Sequence, residues 1–144
     1  ELATTLTAIM NNQQAIILNP AYTLLFQSKG MLKILYDLYP NSPYLLKSSF
    51  EPLSGVKQVA KPLFGREGAN VEIINQDKTV ALKNDGPYGN YKKLYQEFAE
   101  LPQDANGSKY QAGVFFAYEG CGVGFRKGGE ILDNMSKFVG HFIA

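Results

Sequence analysis

The stretch VAKPLFGREGANV, residues 59–71, places a short apolar run, a turn and a second apolar run in direct succession. One proline and two glycines lie in the turn, and the flanking segments, Val59–Ala60 and Asn70–Ile74, are typical of strands. The spacing predicts an antiparallel hairpin with a glycine-rich connection.

The rest of the chain divides around this hairpin. Helical spacing of apolar residues predicts helices in residues 2–10 and 21–39, with Gly30 as an interruption, and Ala15–Leu18 reads as a short buried strand. Further strands are predicted at residues 79–82, 93–98, 110–118, 120–125 and 138–143. Helices followed by a mainly antiparallel sheet define an α+β fold, with a helical segment in residues 1–50 and a sheet in 51–144.

Composition excludes several classes of protein. The chain has 144 residues, of which 45% are hydrophobic and 19% charged, so it is expected to fold around its own core and not to be disordered. The formal net charge of +1 gives no general attraction to nucleic acid, and no apolar run is long enough to span a membrane. Cys121 and His141 are single residues of their type, which excludes a zinc site of four Cys and His ligands. The lone cysteine and the start at Glu1 favour a piece of a longer cytoplasmic protein.

The glycine-rich connection has a chemical interpretation. Lys61 ends the first strand, and Gly65 and Gly68 allow backbone N–H groups to approach an anion closely. A lysine adds a positive charge suited to phosphate. No GK[ST] sequence of a Walker A loop is present. An ordinary hairpin with a surface lysine explains the same spacing, so both interpretations stay open.

Two later segments have similar alternatives. Residues 94–102 begin as a strand and continue into a segment that ends at Pro102. Free backbone groups in that segment can form hydrogen bonds with the edge of an adenine base. A strand followed by an ordinary turn explains the same residues. Arg126 follows the alternating glycines of residues 120–124 and can hold phosphate oxygens, or it forms a surface salt bridge. Lys127 occupies the third glycine position of GxGxxG, which excludes a dinucleotide fingerprint. His141, in the last predicted strand, is expected to be structural.

Several segments together resemble the glutathionylspermidine synthase family of ATP-grasp ligases, which join a carboxylate to an amine. These segments are NPAY (19–22), QSKG (27–30), VAKPLFGREGAN (59–70), YQE (95–97), GVGFR (122–126) and SKFVGHF (136–142). The resemblance runs in order over most of the chain, and KPLFGREGAN is its most specific part. It implies ATP-grasp-type subdomains with a glycine-rich phosphate loop.

The resemblance also implies roles for named residues. Lys29 and Lys61 resemble the lysines that contact ATP phosphates, and Arg126 resembles the arginine that stabilises the transferring phosphoryl group. The implied phosphate loop comprises Gly65, Arg66, Glu67 and Gly68, and the implied adenine hinge comprises Gln96, Glu97, Phe98 and Ala99.

The implied reaction uses ATP and Mg²⁺ to activate a carboxylate as an acyl phosphate, which an amine then attacks. A peptide such as glutathione and a polyamine such as spermidine are the implied substrates. No metal ligand is assigned in this chain, because family members are several times longer and their magnesium carboxylates resemble upstream sequence. The chain alone is therefore expected to be inactive. Alternatives are a ligase for another peptide or diamine, a non-catalytic nucleotide-binding module, and a structural domain in which Lys61 and Arg126 are dispensable.

Overall fold

The N-terminal part of the chain is helical. The computed structural model describes residues 2–16 and 21–142. Helix α1 spans Leu2–Asn11, a 3-10 helix spans Ala21–Gln27, and helix α2 spans Gly30–Leu38. These elements confirm the two predicted helical regions.

The second helical region is interrupted just before Gly30. The backbone N–H of Lys29 donates to the carbonyl oxygen of Leu63 at 2.8 Å, a partner far along the chain. The Ser28 hydroxyl accepts from the Gly30 N–H at 3.2 Å. The backbone bonds at this point are therefore made outside a continuous helix, and Lys29 is tied to the segment that follows the first strand of the hairpin.

Two antiparallel sheets form the rest of the fold. The first contains five strands in the order β1-β5-β2-β3-β4, and the second contains three in the order β6-β7-β8. The strands are β1 Ser48–Ser49, β2 Gln58–Pro62, β3 Glu72–Ile74, β4 Val80–Lys83, β5 Lys93–Glu97, β6 Lys109–Ala117, β7 Glu119–Gly128 and β8 Lys137–Val139. The predicted hairpin is confirmed as β2 and β3, and so is the α+β class with mainly antiparallel sheets.

The central position of β2 determines where its side chains lie. Ala60 is fully buried, and Ile73 of β3 and Leu94 of β5 are buried on either side of the strand. In the register, Val59 faces Gln96 and Lys61 faces Leu94. Directly paired residues of antiparallel strands project on the same face. Lys61 and Gln96 therefore share one face of the first sheet.

Two expectations are corrected, and one strand was not predicted. Ala15 and Ile16 form no strand, and Ile16 is exposed; Ile17 and Leu18 lie outside the described residues. Strand β8 ends at Val139, so His141 lies after it, where its ring packs edge-on against Phe125 at a centroid distance of 5.0 Å. Strand β1, with only two residues, has too short a pattern to be predicted from apolar spacing.

Within the described residues, none of the helices is both long and apolar enough to cross a membrane.

Candidate functional site

A cavity of about 420 Å³ lies between the two sheets. It is lined by side chains of the first sheet and by Gln111 and Arg126 of the second. The structure brings most of the predicted site residues to this cavity, namely Lys29, Lys61, Glu67, Gly68, Gln96, Glu97, Phe98, Ala99 and Arg126. Residues from four separate sequence segments thus surround one space.

Gly65 and Arg66 are the two predicted residues that do not line the cavity. Gly65 is buried behind it, and its carbonyl oxygen accepts a hydrogen bond from the Lys29 ammonium group. The Arg66 guanidinium donates to Gln27 Oε1 at 2.8 Å on the exposed side of the loop. Gly65 supports Lys29, whereas Arg66 is directed towards the 3-10 helix.

The two lysines form a positive region in a partly desolvated place. Burial lowers the pKa of Lys61, and the neighbouring Lys29 lowers it further. Burial also lowers the pKa of Lys29, with a smaller contribution from the charge of Arg66. Desolvation and like-charge repulsion both disfavour the protonated form of a lysine. A bound anion would relieve that repulsion, so these side chains suit an anionic ligand.

The loop between β2 and β3 presents free backbone donors. The backbone N–H groups of Arg66, Glu67 and Gly68 have no acceptor within the described part of the chain. Glu67 and Gly68 both have positive φ values, 56° and 70°, which turn the loop sharply. A Cβ atom at Gly68 would lie 2.6 Å from the Leu132 carbonyl oxygen. Glycine is therefore required here, because the loop closely approaches the connection that follows β7.

The segment after β5 leaves backbone donors unpaired among the described residues. The N–H groups of Glu97 and Phe98 donate to the carbonyl oxygens of Lys47 and Lys57, at 2.9 and 3.0 Å. The Ala99 N–H has no acceptor among the described residues. Lys57 Nζ lies 3.8 Å from the centre of the Phe98 ring, which fixes that ring beside the cavity.

Arg126 is held in place and still has an unused donor. Its Nη2 donates to the Asp133 carbonyl oxygen at 2.6 Å, and the Phe138 ring lies 5.7 Å from its guanidinium carbon. Its Nε is buried and lacks a hydrogen-bond partner within residues 2–16 and 21–142. The contacts of Arg126 are with carbonyl oxygens, which differs from the surface salt bridge considered as an alternative. Burying a donor without an acceptor costs free energy.

Sequence reasoning missed Ser48, Gln111 and Glu130. Ser48 is 2% exposed and its hydroxyl accepts from Gln96 Nε2 at 3.1 Å. Its position beside Gln96 results from pairing between residues far apart in sequence, which a local sequence pattern does not predict.

Glu67 and Glu130 place two carboxylates at the wall of the cavity. Across the described residues, no group of three or more His, Cys, Asp or Glu side chains could hold a metal ion.

Two lysines, an arginine and a turn with free N–H groups surround one cavity on an α+β fold, an arrangement whose charges and donors suit an anion. Comparison with known proteins identifies the family. The family model "Glutathionylspermidine synthase preATP-grasp" matches residues 1–144, and the chain belongs to this family. The resemblance carried by the sequence segments is thereby confirmed.

The relatives are considerably longer than this chain. It is 33% identical over 135 residues to the "Putative acid–amine ligase" of Haemophilus influenzae, covering 87% of this chain and 34% of the relative. It is 28% identical to the bifunctional glutathionylspermidine synthetase/amidase of Escherichia coli, covering 66% of this chain and 16% of the relative. It is 27% identical to the trypanothione synthetase of Crithidia fasciculata, covering 81% and 18%. The chain thus spans about a third or less of these relatives.

Proposed function

We propose that this chain is the ATP-binding part of a carbon–nitrogen ligase of ATP-grasp type. The observation that carries the proposal is Arg126, whose buried Nε has no partner within the described residues, in a cavity that also contains Lys29 and Lys61. Three cations around one space, one with an unused donor, suit the several negative charges of a triphosphate.

We assign one group of cavity residues to the phosphates of the nucleotide and another group to its adenine base. Lys29, Lys61 and the free N–H groups of the loop at residues 66–68 would hold phosphate oxygens. The free Ala99 N–H, beside the Phe98 ring, would meet the edge of an adenine base. The hinge assignment of Gln96 changes in detail, because its side chain points to Lys61, to which it is hydrogen-bonded.

ATP would supply the phosphoryl group that converts a carboxylate into a better electrophile for an amine. The chain's own contribution is positioning and neutralisation of charge, which account for most of the catalysis of phosphoryl transfer. Arg126 would neutralise charge on the phosphoryl oxygens. The loop around Gly68, packed against Leu132, would limit access of water.

Mg²⁺ is proposed as a further requirement, held by parts of the protein that correspond to regions of the relatives that this chain does not span. Glu67 and Glu130 line the cavity but make no ligand set, since the described residues include no group of three candidate ligands. We therefore assign no Mg²⁺ contact within this chain.

The proposed substrates are a small acid and an amine, such as glutathione and spermidine, because relatives are named for glutathionylspermidine and trypanothione synthesis. A different peptide or diamine is the alternative within the same chemistry. We propose a cytoplasmic location, in keeping with such metabolites. A non-catalytic nucleotide-binding module is the competing class, and an assay for amide formation by the whole protein separates the two.

Calorimetry with ATP, with and without Mg²⁺, tests the nucleotide site directly. Lys61→Ala is expected to weaken ATP binding about tenfold to a hundredfold, because it removes one charge-assisted contact. Lys92→Ala is the matched control, since Lys92 is exposed and lies outside this cavity. Equal affinities of Lys61→Ala and the unchanged protein would contradict the proposed site.

A further inference from the structure

We infer that Ser48 is a positioning residue that acts through Gln96 to fix the ammonium group of Lys61. This inference rests on the proposed function for its consequence in ligand binding. Its structural part can be tested without any ligand. Ser48 itself does not line the cavity, so it acts on the ligand through Gln96 and Lys61 and not by direct contact.

The three side chains form one continuous series of hydrogen bonds. Lys61 Nζ donates to Gln96 Oε1 at 2.7 Å, and Gln96 Nε2 donates to Ser48 Oγ at 3.1 Å. Ser48 Oγ donates in turn to the carbonyl oxygen of Leu46 at 3.0 Å. The series begins at a cavity side chain and ends on the backbone just before β1.

Each end of the series independently requires the same orientation of the Gln96 amide. A carbonyl oxygen only accepts, so the Ser48 hydroxyl proton is committed to Leu46 and its oxygen is left to accept from Gln96. Lysine only donates, so the amide oxygen must face Lys61. If the Gln96 amide were rotated by about 180°, its NH₂ group would face the Lys61 ammonium group, and both groups are hydrogen-bond donors. The polarity of the series is therefore fixed by chemistry from both ends.

Burial makes this arrangement costly to disturb. Ser48 is 2% exposed and Gln96 is 7% exposed. Gln58 is a buried amide in a structural role. Within the described part of the chain its side chain bonds only to the backbone N–H and carbonyl oxygen of Leu53, at 2.8 and 2.9 Å. Gln96 instead accepts a hydrogen bond from Lys61, a lysine of the cavity, so its amide helps to position a side chain of the site.

The consequence for the ligand follows from the donor count. An ammonium group has three N–H bonds, and Gln96 uses one of them in a fixed direction. The others are directed to the remaining surroundings of Lys61, which include the cavity. Without Ser48, Gln96 Nε2 loses its acceptor and the amide is free to turn away from Lys61. Lys61 would then have to be ordered by the ligand at the time of binding.

Nuclear magnetic resonance of the ligand-free chain tests the series. In Ser48→Ala, the Gln96 side-chain amide signals are expected to shift and to exchange with water faster, and the Lys61 ammonium signal is expected to broaden. Ser49→Ala is the matched control in the same strand, since the Ser49 hydroxyl accepts from the Glu51 N–H and has no other bond to the described residues. Its Gln96 and Lys61 signals should be unchanged. Unchanged Gln96 and Lys61 signals in Ser48→Ala would overturn the inference, regardless of the affinity of the variant for ATP.

ATP titration of the same variants completes the test. Ser48→Ala should weaken ATP binding about threefold to tenfold, the effect of one lost hydrogen bond, and Ser49→Ala should not. Altered signals with unchanged affinity would overturn the positioning role. Absence of ATP binding by the unchanged chain, with the signal changes present, would count against the proposed function and leave the series itself supported. If Ser48→Ala does not fold, Ser48→Cys, a weaker acceptor of similar size, should give smaller changes in the same direction.

Discussion

At the scale of single residues, the site distinguishes two arginines that look equivalent in the sequence. Arg126 is anchored by the Asp133 carbonyl oxygen and has a buried Nε without a partner among the described residues. Arg66 is exposed and donates to Gln27 on the far side of the loop. Of these two arginines, Arg126 lines the cavity and Arg66 does not.

Replacing Arg126 by lysine tests this difference. Arg126→Lys keeps the charge but removes the planar donor set, and we expect ATP affinity to fall about tenfold. Arg66→Lys should change it by less than about threefold, as is usual for exposed charges. Both affinities are measured by calorimetry at one ionic strength. Equal losses in the two variants would show that the cavity position of Arg126 is not what matters.

The lowered pKa of Lys61 leads to a pH prediction. Phosphate binding requires the protonated lysine, and burial moves its deprotonation below the usual range. ATP affinity should therefore decline as the pH rises through this lowered pKa, before an exposed lysine would titrate. Lys61→Arg should shift the decline to higher pH, because arginine stays protonated. Affinity measured from pH 7 to 10 gives the comparison; identical profiles would contradict a role for Lys61 protonation.

The same pKa shift has a defined sign for stability. Between the lowered pKa of folded Lys61 and the ordinary value of the unfolded chain, the unfolded state binds more protons. The contribution of Lys61 to the free energy of unfolding therefore increases as the pH rises through that window. Ligand affinity and stability respond to alkaline pH in opposite directions at this one residue.

At the scale of elements, the loop between β2 and β3 is constrained by one close approach. Gly55 and Gly68 both have positive φ values, 74° and 70°. A Cβ atom at Gly55 would meet nothing within 4 Å, whereas one at Gly68 would lie 2.6 Å from Leu132. A substitution at Gly55 would therefore meet the cost of the backbone conformation alone. A substitution at Gly68 would meet that cost and also a steric clash.

Alanine at these two positions should have different effects. Gly55→Ala should lose about 1–2 kcal/mol of stability, the cost of a left-handed conformation. Gly68→Ala should lose more, because the loop must also move away from Leu132, and it should weaken ATP binding as well. Thermal unfolding and calorimetry measure the two effects. Equal destabilisation with unchanged ATP affinity would show that the approach to Leu132 is unimportant.

The elements differ in how far the sequence predicts them. The hairpin of β2 and β3 is encoded locally, by apolar runs around a turn, and the prediction was correct. The break at Gly30 was also predicted, from the glycine itself, and the Lys29 N–H beside it bonds to Leu63. Strand β1, in contrast, forms by pairing with β5, far along the chain. Such long-range partners leave no local pattern. Residue type suggested Lys61 and Arg126, whereas the roles of Ser48 and of the Gln96 side chain depend on register.

At the scale of the whole molecule, the chain spans 34% of its Haemophilus influenzae relative and smaller shares of the other two. We therefore expect the 144-residue chain to bind ATP without forming an amide. Incubation with ATP, Mg²⁺, glutathione and spermidine, followed by product detection, tests this expectation. The bifunctional glutathionylspermidine synthetase/amidase of Escherichia coli is the positive control. Amide formed by the chain alone would show that all catalytic groups lie within it.

The two sheets contribute separate walls to the cavity. Lys61 stands on the central strand of one sheet and Arg126 on the middle strand of the other, so neither can shift far without its hydrogen-bonded neighbours. We expect the space between them to widen mainly by rotation of one sheet relative to the other, about the connection at residues 98–108. That rotation would separate Gly68 from Leu132. If this rotation limits entry and release of a nucleotide, a substitution that never touches the ligand would slow exchange while leaving the equilibrium affinity unchanged.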